Sequence, residues 1–396
     1  MKPGRISLEK IAAPALGLGA ILTLVCFVMM FTGGHQREMM QSYLFGYIFW
    51  ISLTLGCFAM MVLYHLLRAK WVLPVLRLLE AGGGPTMLAV MGVLLLPIVI
   101  PVMQGNDILY AWANSATRHS DLVLRHKEIY LNPGGFTFRY VLYFVCWAGI
   151  AYWFRQSTAK QEKSGDQREV TKRNNLSAPA FIFFVISVTF AFTDWVMSLD
   201  GHWFSTMYGL WTGVSMAIGG FAFVVMIFCW NANREPYKSV ISPALTRDIG
   251  NILFVLTMLW GYTSLSQYLI LWSGNLPETN FYYVERSKAA WNIVGFMAIL
   301  GQFFLPFIML LTPRNKKIAA NLGKVAFFML AIHVIDIYQY VMPALRHNGP
   351  APTWQDGLAF VAIGLLWVGL TGWLTQKHEL LPAFDNRLVA GGQGAH

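Results

Sequence analysis

In a chain of 396 residues, 56% apolar and only 12% charged, there is too little charge to cover a soluble surface. The net charge of +10 is spread over the ends of apolar blocks and the segments between them, with no dense basic stripe, so membrane topology is favoured over nucleic-acid binding. The four cysteines (Cys26, Cys57, Cys146 and Cys229) all fall inside apolar blocks without a CxxC pair, which argues against iron–sulfur or structural zinc sites.

The segment 1–10 carries Lys2, Arg5 and Lys10 ahead of a long apolar run. Its small residues lie inside that run instead of after it, so it is read as an uncleaved first helix. Ten apolar blocks then follow, at 11–31, 42–67, 85–103, 136–154, 179–199, 207–230, 249–272, 291–311, 322–342 and 354–374. Each has roughly the twenty residues needed to cross about 30 Å of hydrocarbon. The expectation is therefore an all-α integral membrane protein of ten transmembrane helices. With both termini cytoplasmic, 21 of the 29 lysines and arginines fall on the inner side and 8 on the outer side.

The chain is expected to form one polytopic domain: helices 1–4 in residues 1–155, a flexible cytoplasmic linker at 156–177, helices 5–10 in 178–375 and a cytoplasmic tail at 376–396. The outer segment 104–135 holds Trp112, His119, His126 and Tyr130, suited to ordering by a partner.

Charge inside a span is costly, about 2.5–3.5 kcal/mol for an aspartate near a helix centre. Asp194 in the fifth span and Asp336 in the ninth carry that cost, both in the outer half of the membrane. His333, Asp336 and Tyr340 are spaced three and four apart and share one helical face; Ser264, Gln267 and Tyr268 do the same in the seventh span. Asp194 shares its face with Ser187 and Ser198. Such groups either fasten helices to one another or relay protons. At the inner side, His65 ends the second span, as an anchor or a proton entry, and Asp248 near the start of the seventh is favoured there by the helix dipole in any case. His65 and His333 lie at different depths, which argues against a bis-histidine haem. No cofactor is expected on this chain.

Two outer turns add specific sequence. One runs Asp194–Trp195–Val196–Met197–Ser198–Leu199–Asp200–Gly201–His202–Trp203–Phe204–Ser205–Thr206; the other runs Leu271–Trp272–Ser273–Gly274–Asn275–Leu276–Pro277–Glu278. A weaker third stretch is Tyr130–Leu131–Asn132–Pro133 with Arg139, Tyr143 and Trp147. In this order on a ten-helix frame, they resemble the NrfD/PsrC-like membrane subunits of bacterial alternative complex III, and among these the second of the two related quinone-binding-type subunits. Gly201 and Thr279 depart from the pattern, which commonly has proline and a second acidic residue there.

The resemblance implies two four-helix bundles, helices 2–5 and 6–9, flanked by helices 1 and 10, in the bacterial inner membrane. It also implies a role in a quinol:electron-acceptor oxidoreductase, as a scaffold that handles protons. Quinol, haem c and iron–sulfur clusters would then belong to partner subunits: a related NrfD-like membrane subunit, an iron–sulfur subunit and c-type cytochromes, with a terminal oxidase as one further candidate. The expected proton path is Asp194, His333, Asp336, Tyr340 and Gln267, with His65 and Asp248 at the inner end. His202, Trp203, Asn275 and Glu278 are the expected partner contacts. Two rival readings share the membrane frame. One is the quinone-reactive subunit of a polysulfide-reductase-type molybdoenzyme. The other is a secondary transporter, for which broken midplane helices are the expected mark; here the prolines well inside spans are few (Pro97, Pro101 and Pro306), with Gly219–Gly220 a tight pair.

Overall fold

The computed structural model describes residues 7–32, 34–377 and 379–381; Lys2 and Arg5, and the stretch 382–396 of the expected tail, lie outside the described residues. Among the described residues every regular element is helical. The long helices are α1 (Ala12–Thr32), α2 (Gln36–Leu67), α3 (Pro85–Met103, led in by a short helix at Leu76–Gly83), α4 (Pro133–Ser164) and α5 (Arg168–Trp195). They continue as α6 (Tyr208–Trp230), α7 (Pro243–Gly274), α8 (Trp291–Leu311), α9 (Ala319–Val341) and α10 (Trp354–Thr375).

Nine helices among the described residues are long and apolar enough to cross a membrane, which makes the chain a multi-pass integral membrane protein. The tenth long helix, α4, is outside that set. It has 32 residues, ample length for a span, but it carries Arg139 and a set of tyrosines and tryptophans within its apolar stretch.

Local chemistry sets the helix ends. Pro85, Pro133 and Pro243 open α3, α4 and α7 at positions where a missing N–H costs nothing. Asn132 and Ser242 cap α4 and α7 by accepting from the amides of Gly135 and Leu245. Asn275 closes α7 in the left-handed region at φ 47°, a conformation that asparagine tolerates.

Helices α2 and α6 form the centre, with 89% and 94% of their apolar windows buried. They meet through Gly56 and Gly220; a Cβ on Gly220 would lie 2.6 Å from the Cys57 amide nitrogen. In a lipid environment such glycine contacts bring backbones within van der Waals range where the hydrophobic effect offers no drive. Helix α2 also packs on α3 and α5, α3 on α4, and α4 on α5. Helix α6 packs on α7 and α9, α7 on α8, and α8 on α9.

Helix α10 lies against α1 and α2. Its capping residue Asp356 takes two hydrogen bonds from Arg346 (2.7 and 2.8 Å) and one from Ser42 of α2 (2.6 Å), so a buried carboxylate fastens the tenth helix to the second.

The expected flexible linker at 156–177 is corrected. Helix α4 runs to Ser164 and α5 begins at Arg168, leaving a turn that Gly165 closes at φ 67°. The polar residues satisfy one another across this hairpin: Ser157 donates to Glu169 (2.8 Å), Arg173 donates to Ser157 (3.1 Å) and to Gln161, and Arg77 pairs with Glu162. Polarity there reflects helix-to-helix bonding, not disorder. The segment 104–135 is likewise ordered by its own chain. Trp112 is buried and donates to the Ser198 carbonyl (3.1 Å), Arg118 donates to the Trp112 carbonyl (2.8 Å), and Lys127 donates to the Gly201 carbonyl (2.8 Å).

Candidate functional site

The buried acids expected to share one path stand in separate clusters. Asp194 on α5 is gripped by α4: Arg139 donates from Nε and Nη2 to its two oxygens at 2.9 and 2.7 Å, and Tyr143 adds a hydroxyl at 2.9 Å. The guanidinium also lies 3.9 Å from the Tyr130 ring centroid. A bidentate fork with a third donor fills the carboxylate's acceptor sites and holds it ionised in place. Asp194 is thus better suited to fastening α4 to α5 than to passing protons. Ser198 donates to the Asp194 carbonyl (2.6 Å), whereas Ser187 accepts from the Trp147 indole (2.8 Å).

Asp336 on α9 has different neighbours. Ser215 of α6 donates to its Oδ2, and His333 Nδ1 lies 3.3 Å from the same serine oxygen and 4.0 Å from the carboxylate. On its far side, His333 Nε2 is 2.9 Å from Ser52 Oγ of α2. Ser52 uses its only proton on the Phe49 carbonyl (2.6 Å), so it must accept from Nε2–H. That leaves Nδ1 bare, facing Ser215 and Asp336. The result is a file, Ser52–His333–Ser215–Asp336, joining α2, α6 and α9, hydrogen-bonded throughout when Asp336 carries a proton and Ser215 turns its hydroxyl to Nδ1; both titratable members are at most 1% exposed.

Two features frame this file. Gly219 of α6 lies flat against the imidazole, where a Cβ would sit 2.5 Å from the ring. On the opposite side of Asp336, a cavity of about 470 Å³ opens between α7 and α8, walled by Trp211, Trp260, Tyr268, Tyr283 and Phe303. Its rim includes Met258, Leu265, Ile299 and Phe304, exposed apolar residues of the membrane-crossing helices, so it faces lipid. A π-helical turn at Leu300–Phe304 forms part of this wall, a distortion often found at functional sites.

The remaining expected residues scatter. Tyr340 is buried close to Asp336, its hydroxyl outside hydrogen-bonding geometry. Gln267 accepts from Ser205 (2.6 Å). His65 is buried at the C-terminal end of α2 and stacks on Phe154 (4.8 Å between centroids), whereas Asp248 is half exposed beside Arg247 (3.6 Å). Nothing in these contacts joins His65 to Asp248.

Among the expected partner contacts, Trp203 is corrected. It is 2% exposed, stacked on Tyr282 at 4.0 Å, and donates to the Thr279 carbonyl (3.1 Å), so it fastens two interhelical segments of its own chain. His202, Asn275 and Glu278 are exposed. His202 pairs with Asp121 (2.6 Å), whose carboxyl is held below its ordinary pKa by the Leu124 amide and by this histidine. Gly201 has a local reason: a Cβ there would lie 2.6 Å from the Leu124 side chain.

Sequence reasoning missed Ser52 and Ser215, whose role depends on which helices face each other. It also missed the Arg139 pairing, for which the signal was a bare arginine inside an apolar block. Gly219→Ala provides a direct check on the imidazole's position. Overpacking typically costs about 1–3 kcal/mol, so the variant is expected to unfold more readily in detergent by that amount. Unchanged stability would mean that the ring does not rest on α6.

Among the described residues no group of three histidines, cysteines or acids is placed to hold a metal ion. No protein-family model matches the chain, and no curated protein matches its sequence.

Proposed function

We propose that this chain is a proton-conducting scaffold subunit of a membrane-bound respiratory quinol:electron-acceptor oxidoreductase of the alternative complex III type. The observation that carries the reading is the buried file Ser52–His333–Ser215–Asp336, which offers alternating proton donors and acceptors where lipid alone would admit none. The sequence signatures of the two outer turns support it. So does the helix packing, in which α2–α5 and α6–α9 each close on themselves as a four-helix bundle, with α1 and α10 alongside. In this reading α4 is the tenth span, its arginine neutralised by Asp194, and both termini face the cytoplasm of a bacterial inner membrane.

A proton on Asp336 passes through the Ser215 hydroxyl to the bare Nδ1 of His333. His333 stores that proton as an imidazolium, with the Asp336 carboxylate left as its counter-charge and its Nε2–H held by Ser52; release onward requires the Ser52 hydroxyl to leave the Phe49 carbonyl. Quinol oxidation, haem c and iron–sulfur clusters belong to partner chains: a related NrfD-like membrane subunit, an iron–sulfur subunit and c-type cytochromes. Gentle extraction from the native membrane tests this. The chain is expected to co-purify with those partners and with quinol:acceptor activity. Recovery as a lone, stable oligomer that moves a solute would favour a transporter instead.

A further inference from the structure

Among the described residues, buried carboxylates come with their own cations, with one exception. Asp194 has Arg139, Asp356 has Arg346, and Glu169 has Lys172 at 2.6 Å. Asp336, 1% exposed, has only the imidazole at 4.0 Å. An ionised Asp336 would be uncompensated, which is expensive, so this group either holds a proton or takes a cation from outside the chain. The carboxylate lies in the wall of the 470 Å³ cavity, which it shares with the rings of Trp211, Trp260, Tyr268, Tyr283 and Phe303 and with the Gln339 amide. Rings around a negative group form the usual recognition chemistry for an ammonium: π-faces attract the cation and the carboxylate neutralises it. The exposed apolar rim then suits a hydrocarbon tail lying in the bilayer, and the volume is that of a small-molecule site. An unpartnered Ser264 hydroxyl in the same wall offers a further acceptor.

We propose that this cavity binds a lipophilic ammonium, a protonated amine on an apolar tail that enters from the lipid phase and becomes the counter-ion of Asp336. Bound there, it holds the carboxylate ionised and stops the carboxylate from carrying a proton toward His333. The binding itself does not depend on the respiratory reading; only the blocking of proton transfer does.

A tail-diazirine derivative of dodecylamine tests the site on the full chain in nanodiscs, with the matching dodecanol derivative as the neutral control. The amine is expected to label 258–268 and 299–304 saturably, at least about tenfold more strongly than the alcohol, the order expected of a desolvated cation in an aromatic cage. Asp336→Asn should reduce amine labelling to the alcohol's level. Leu265→Trp, a change at a lipid-exposed rim residue, should abolish saturable labelling by filling the entrance. Equal labelling by the two probes, or amine labelling unchanged in either variant, would overturn the assignment. Loss of inhibition of proton movement with labelling intact would instead count against the relay.

Discussion

Arg139→Leu is expected to destabilise the protein by about 3–5 kcal/mol, the usual cost of removing one partner from a buried ion pair. The side chain gives two hydrogen bonds to Asp194 and covers the Tyr130 ring, and the carboxylate it leaves behind is 1% exposed. Tyr143 alone cannot neutralise that charge. The sign of the double variant separates charge from packing. Replacing both residues with leucine removes the stranded carboxylate, so Arg139→Leu with Asp194→Leu should recover much of the lost stability. Unfolding in detergent measures both. A single variant within about 1 kcal/mol of the wild type would mean that the pair is solvated and does not hold α4 to α5.

Much of the helical frame was legible in the sequence, for a physical reason. A membrane helix must satisfy its own backbone, so each apolar block bounded by turn or interface residues is a helix of fixed minimum length. Pro85–Met103 and Trp291–Leu311 coincide with their blocks. Helices continuing beyond the hydrocarbon were not legible. The hairpin of α4 and α5 extends well past its apolar stretch because Ser157, Glu169 and Arg173 bond across it, and a polar run looks the same whether its groups meet water or each other.

The candidate site was half legible. Three-residue spacing places His333 and Asp336 together within one helix, and the structure keeps them within 4.0 Å. Helix-to-helix facing is not written in spacing, so Ser52 and Ser215 were invisible, and Asp194 was grouped with the wrong acid. Arg139 and Asp194 are both costly inside apolar blocks that follow one another in the chain, and their opposite charges are the sequence signal for the fork. Phe303 and Phe304 reach the cavity wall from the π-helical turn at Leu300–Phe304, for which the sequence offers no propensity signal.

The central claim is that the His333–Asp336 file moves protons, and substituting Asp336 with asparagine tests it most directly. Asparagine keeps the size and an acceptor for Ser215, so the helices should assemble as before, but it cannot give up a proton in the working pH range. A positioned acid or base usually contributes 10²–10⁴-fold, so in the complex reconstituted into vesicles, proton movement per electron should fall by at least about tenfold. On the proposed reading, which puts the redox centres in partner chains, electron flow should continue. The same measurement on His333→Gln should give a similar loss, since the file is interrupted one step later. If both variants assemble normally with an unchanged proton-to-electron ratio, the file only holds α2, α6 and α9 together and the account is wrong.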